Sequence, residues 1–70
     1  MGYGEKMKAL RAKKNMTQRE AADRLGCSIV SIEKYEREER VPRDEMKIAI
    51  SKLYGRSVSY IFFANEGHKS

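Results

Sequence analysis

Seventy residues carrying 15 Lys and Arg against 10 Asp and Glu give a net charge of +5 and form at most one domain, and a chain this short buries only about 60% of its unfolded surface. A single cysteine, Cys27, and a single histidine, His68, exclude an internal disulfide and a zinc ligand set, and leave no nucleophile paired with a base. No apolar run approaches the roughly 18 residues of a membrane span, and the N-terminus MGYGEKMK has no signal-peptide core, so the chain reads as a cytoplasmic, non-enzymatic protein with no membrane, cofactor or small-molecule ligand in view.

Tyr3, Met7 and Leu10 recur at helical spacing and predict a first helix over residues 5–14, stopped by Asn15. Thr17 with Glu20 three residues on is a capping box, which starts a second helix over 18–25 with Ala21, Ala22 and Leu25 inward. Gly26 ends it in a left-handed turn. Ser28 is an N-cap residue, so the third helix, over 28–37, turns sharply off the second. Glu38 and Glu39 follow. Glutamate disfavours the left-handed cap conformation, and Glu33 with Arg37 and Glu36 with Arg40 are spaced for i,i+4 support, so this helix is expected to continue to about residue 39. Pro42 opens a fourth helix with Met46, Ala49, Ile50 and Leu53 on one face and Gly55 at its end. Ser57 caps a fifth helix, SVSYIFF. The alternation in VSYIFF also fits a strand, but a lone strand would lack a partner. The chain therefore reads as an all-α, five-helix domain over 1–70, with a core of about 5–63 and a flexible tail at 64–70.

Charge is unevenly spread. Residues 6–14 (KMKALRAKK) hold five cations and no anion, whereas 33–45 mix both signs. A pI near 9.6 has the sign of a nucleic-acid binder. At about 100° per residue, Ile32 and Tyr35 point the same way and Val30 points almost directly opposite. The outward side of the third helix then shows Val30, Glu33, Lys34 and Arg37, with Ile29 and Ser31 at its margins; half-buried packing and outward contact are both open to Ile29. Two short helices joined by a tight glycine-containing turn form a helix-turn-helix, whose second member fits the ~12 Å major groove.

TQREAADRLGCSIVSIEKYER resembles the motif of the phage repressor and Cro-type helix-turn-helix family (XRE-like), TQ-x-x-x-A-x-x-x-G-x-S-x-x-x-I-x-x-x-E, with Thr17, Gln18, Ala21, Gly26, Ser28, Ile32 and Glu36 in the matching places. The likeness extends over residues 6–63, taking in Pro42, Gly55 and SVSYIFF. It implies a lambda-repressor-like fold and a transcriptional regulator, most simply a repressor, that binds double-stranded DNA as a homodimer on an inverted repeat. In the family, positions matching Ile29, Val30 and Lys34 touch base edges, Gln18 beside the Thr17 cap meets phosphate or base, and Ser28 meets phosphate. Val30 would find a thymine methyl and Lys34 a guanine; Ser31, Arg37, Arg40 and Arg43 complete the expected DNA surface, with Lys13, Lys14 or Arg11 on phosphate. Arg11 and Glu36 match a buried or semi-buried ion pair.

Where the family places Gly and then a basic residue after the recognition helix, this chain has Glu38 and Glu39. Replacing them by Gly and Lys is expected to tighten DNA binding. Helix 5 holds more apolar surface than a small core absorbs, so Val58, Ile61 and Phe62 are assigned to the core, and Tyr60 and Phe63 to a dimer interface. A protein-interaction module of antitoxin type, with DNA binding secondary, is the alternative reading, and non-specific nucleoid coating a third. Cys27 reads as a small residue at the edge of the core rather than a redox switch.

Overall fold

The computed structural model describes residues 2–63, and every regular element among them is helical: α1 (Tyr3–Lys13), α2 (Gln18–Leu25), α3 (Ile29–Glu36), α4 (Asp44–Tyr54) and a final π-helical turn, α5 (Ser59–Phe63). The expected tail at 64–70, with His68, lies outside the described residues.

α1 begins two residues earlier than its apolar spacing predicts. Its N-cap, Gly2, has no side chain to offer, and the carboxylate of Glu38 takes the capping role from a distance, Oε2 accepting from the Gly4 N–H at 2.9 Å. An anion there also meets the positive end of the helix. Gly4 is required for the approach, since a Cβ at that position would overlap the Glu36 carbonyl oxygen and the Glu38 side chain. The Tyr3 hydroxyl donates to the Arg40 carbonyl at 3.0 Å, a second tie between the start of α1 and the segment after α3. At its other end α1 stops at Asn15, which adopts φ +56° while Met16 N–H bonds back to the Arg11 carbonyl at 3.1 Å. Asparagine tolerates that left-handed conformation better than most side chains.

The third helix does not continue to residue 39. It ends at Glu36, and Glu38 itself takes the left-handed conformation, φ +62°, with Glu39 N–H bonded to the Lys34 carbonyl at 2.8 Å and Glu38 N–H to the Tyr35 carbonyl at 3.1 Å. The i,i+4 pairs that were to prolong it are absent among the described residues: Arg37 reaches Glu39 at 3.6 Å, Glu36 is held by Arg11, and Arg40 donates to Ser31 Oγ at 3.2 Å. A left-handed glutamate costs on the order of 1–2 kcal/mol. The bond from Glu38 to the α1 N-terminus acts in the opposite sense, which is why a local propensity argument misplaced this helix end.

Pro42 does not open α4. It is buried just before the cap residue Arg43, and the helix starts at Asp44. The expected α-helical geometry of SVSYIFF is also replaced by a wider turn, in which Ser57 caps through Tyr60 N–H to Oγ at 3.0 Å. With more residues per turn, consecutive Ile61 and Phe62 both reach inward: Ile61 is 1% exposed and Phe62 packs its ring against Tyr3 at 5.6 Å between centroids. The core is formed by Met7, Met16, Ala21, Ala22, Ile32, Tyr35, Ile50, Tyr54 and Ile61. Each large side chain buried there contributes about 1.5–3 kcal/mol. Together they hold α2 and α3 in a fixed corner.

Candidate nucleic-acid interface

The corner is built by caps. Thr17 Oγ1 accepts from Glu20 N–H at 3.0 Å and Glu20 Oε1 accepts from Thr17 N–H at 2.8 Å, completing the capping box at the start of α2. Gly26 closes α2 with φ +71°, a conformation natural to glycine. Ser28 then caps α3, its Oγ accepting from Ser31 N–H at 3.1 Å. These residues set the angle at which α3 leaves α2 and leave the N-terminal end of α3 at the molecular surface.

Side chains along α3 divide as their angles require. Ile32 is fully buried and Tyr35 nearly so, whereas Val30 is 49% exposed. Ile29 is half-buried and packs against the core. Glu33 and Lys34 are half-buried and Arg37 is exposed. Ser31 is drawn into a small polar chain, accepting from Arg40 and bonded to Ser28 Oγ at 3.2 Å. Arg40 is thereby laid along the flank of α3 near its start. Arg43 is exposed at the head of α4, and with Leu25, Tyr35, Arg40, Val41 and Met46 it borders a surface groove of about 610 Å³.

Behind α3 lies the ion pair that ties three helices together. Arg11 Nε donates to Glu36 Oε2 at 2.7 Å, Nη2 to Glu36 Oε1 at 3.0 Å, and Nη1 to the Met16 carbonyl at 2.9 Å. The Glu36 side chain is 4% exposed and that of Arg11 14%. The hydrogen bond to Glu36 raises the Arg11 pKa above its ordinary value, against desolvation by burial. Nearby, burial pushes the Tyr54 phenol up to about 12, with the negative charge of Glu36 adding to the effect, and its hydroxyl has no hydrogen-bond partner among the described residues. Sequence reasoning missed one member of this site. Gln18 Nε2 donates to Glu36 Oε1 at 3.1 Å, so a side chain assigned to DNA also braces α2 against α3.

The basic run on α1 is smaller at the surface than in the sequence. Arg11 is consumed by Glu36, and Lys6 is 8% exposed, its Nζ donating to the Tyr60 carbonyl at 2.9 Å. Lys8, Lys13 and Lys14 remain exposed. Of the two residues assigned to a dimer interface, Tyr60 is 39% exposed but lies against Arg56, whose Cζ is 3.9 Å from the ring centroid. Phe63 is 41% exposed and flanks a groove of about 480 Å³ with Ile48, Val58, Asp44 and Lys47. Ile48, 51% exposed on the outer side of α4, was overlooked; its place opposite the Ile50 face was the signal. Cys27 is half-buried, which raises its thiol pKa. Among the described residues, no group of His, Cys, Asp and Glu side chains is placed to hold a metal ion, and no helix is long and apolar enough to cross a membrane.

Comparison with known proteins gives a consistent answer. Residues 7–61 match the sequence model of the Helix-turn-helix family. The chain is 33% identical over 69 residues to the HTH-type transcriptional regulator ImmR of Bacillus subtilis (strain 168), covering 99% of this chain and 54% of the relative, so it spans about half the length of that protein. Its fold is similar to that of the P22 c2 repressor crystallised with a synthetic operator, at a TM-score of 0.87 and 32% identity over 90% of this chain and 96% of that one. It is also similar to the P22 c2 repressor DNA-binding domain in solution, at a TM-score of 0.82 and 33% identity over 87% of this chain and 80% of that one. With its caps, its αL glycine turn and its surface-facing α3, the chain belongs to the helix-turn-helix family, in the phage-repressor type that its motif resembles.

Proposed function

We propose that this chain binds double-stranded DNA sequence-specifically as a transcriptional regulator of bacterial or phage type, acting as a repressor by occluding a promoter, in the cytoplasm. The observation that carries this reading is the exposure of Val30 on α3. A β-branched apolar side chain held outward on a rigid helix finds its natural partner in a thymine C5-methyl of the major groove. Lys34 supplies a donor for guanine, and Ile29 adds apolar contact from the margin of the same face. Thr17, Gln18, Ser28, Ser31, Arg37, Arg40 and Arg43 surround α3 as phosphate and base contacts, and Lys13 and Lys14 extend the basic surface. The P22 c2 repressor, similar over 90% of this chain and crystallised with a synthetic operator, supports DNA as the partner.

A second copy of the chain completes the proposal. One such domain reads few base pairs, and a twofold dimer doubles the site. The groove flanked by Phe63 and Ile48 offers apolar surface for that contact, and Tyr60, with Arg56 over its ring, adds exposed aromatic surface from the same short helix as Phe63.

The regulator reading separates two classes of lysine. Lys34→Ala is expected to relax preference at one base position, with a cost of about 1–3 kcal/mol on the preferred site, whereas Lys13→Ala and Lys14→Ala weaken binding to all duplexes alike and flatten its salt dependence. Titration of preferred and random duplexes by fluorescence anisotropy measures this. Identical behaviour of the three variants would remove the base-reading role of Lys34.

The glutamates after α3 separate in the same assay. Glu39 is exposed and, among the described residues, paired only with exposed Arg37, so Glu39→Lys is expected to tighten binding to every duplex. Glu38→Gly relieves a left-handed glutamate but removes the cap of α1, and the net effect expected is a lower melting temperature without tighter binding. Tighter binding from Glu38→Gly alone would mean that its carboxylate meets the duplex rather than α1.

A further inference from the structure

We infer that Glu33 is a specificity-determining residue that reads a cytosine in the major groove. The inference rests on the proposed reading of α3 as the DNA-facing helix. Glu33 lies three residues after Val30 and four before Arg37, which places it on the same outward side of α3. A carboxylate in the middle of such a surface needs an explanation, because it opposes the phosphate attraction on which binding depends.

Two ordinary explanations fail. The first is helix support through Arg37, the cation at i+4; Arg37 instead reaches Glu39 at 3.6 Å. The second is an ion pair with another element. The described residues contain ion pairs of Arg11 with Glu36, Arg37 with Glu39 and Lys47 with Asp44, and none with Glu33. Glu33 is also half-buried rather than fully solvated, with Lys34 as its neighbour in sequence.

An ionised carboxylate only accepts hydrogen bonds. In the major groove guanine presents two acceptors, thymine an acceptor and a methyl, and adenine a donor with the N7 acceptor beside it; cytosine alone presents a donor without a neighbouring acceptor of its own. Glu33 therefore favours cytosine, is repelled by guanine and thymine, and is less suited to adenine, whose donor lies beside the N7 acceptor. Lys34, the adjacent residue, has the opposite preference, for guanine O6 and N7. One G·C base pair, or two adjacent ones, offers both partners at once.

The test is selection from a random duplex library with the unmodified chain, Glu33→Ala and Glu33→Gln in parallel, with melting temperatures measured alongside; both substitutions keep good helix formers at the position. The unmodified chain is expected to enrich a site in which a cytosine lies within one base pair of the guanine assigned to Lys34. Glu33→Ala should lose at least about fivefold preference at that cytosine alone, the low end of what one base-edge contact supplies, and bind random duplex more tightly. Glu33→Gln should turn the preference toward adenine, whose N6 and N7 suit an amide. If the unmodified chain enriches a site and both variants enrich the same site unchanged, Glu33 is only a solvated charge and the inference is overturned while the regulator reading stands. If the unmodified chain enriches nothing, the regulator reading fails and this inference with it.

Discussion

Replacing Arg11 with methionine is expected to lower the melting temperature by upwards of about 12 °C, a loss of roughly 3–5 kcal/mol. The guanidinium makes two hydrogen bonds to Glu36 and a third to the Met16 carbonyl, and the Glu36 side chain it serves is 4% exposed. Removing it leaves a buried carboxylate with Gln18 Nε2 as its remaining side-chain donor among the described residues. Domains in general are stable by only about 5–15 kcal/mol, so a loss of this size takes a large share of the total. Thermal denaturation followed by circular dichroism gives the number. The cost should fall when Glu36 is replaced by leucine in the same molecule, because the uncompensated charge is then gone. DNA binding by Arg11→Met should decline only in proportion to the unfolded fraction, and an unchanged melting temperature would show that the pair is no more than a solvated surface contact.

Two β-branched residues on one turn of α3 should respond in opposite ways. Ile32→Ala opens a cavity beneath a side chain that is 0% exposed and is expected to cost about 2–5 kcal/mol. α3 would lose its anchor to the core formed with Ala21, Ala22 and Ile50. Val30→Ala removes a side chain that is 49% exposed and should change stability by less than about 0.5 kcal/mol. Its effect belongs in binding, as reduced preference for a thymine. Melting and binding measurements on the pair of variants distinguish framework from contact surface. A large stability loss from Val30→Ala would place that valine in the framework and remove the main support for α3 as the reading helix.

Local signals accounted for the parts of this molecule that are local. The capping box of Thr17 and Glu20, the αL glycines Gly26 and Gly55 and the Ser28 cap each depend on a few adjacent residues. They set the helix-turn-helix, and helical angles alone separated Val30 from Ile32. The errors arose where distant segments meet. Glu38 is left-handed because its carboxylate caps α1, thirty-four residues away in sequence, and no propensity near residue 38 records that. Lys6 reads as part of the basic run on α1 until Tyr60 comes to rest against it, and Gln18 reads as a DNA contact alone until Glu36 arrives behind it. Met16 and Tyr54, which no local spacing assigned to the interior, also lie in the core. The base-reading assignments are of another kind, because they describe contacts with a second molecule and follow from exposure and chemistry rather than from packing.

Whether α3 reads a DNA sequence is decided by selecting bound duplexes from a random library at physiological salt. Non-specific binding there is typically only about 10⁻⁴ to 10⁻⁶ M, so a specific site stands out clearly. A reading α3 on a twofold dimer is expected to enrich an inverted repeat whose half-sites lie about 34–36 Å apart, one helical turn of DNA. Recovery of unenriched DNA, or of none, would contradict it and turn attention to the apolar groove beside Phe63 as the surface of a protein-interaction module.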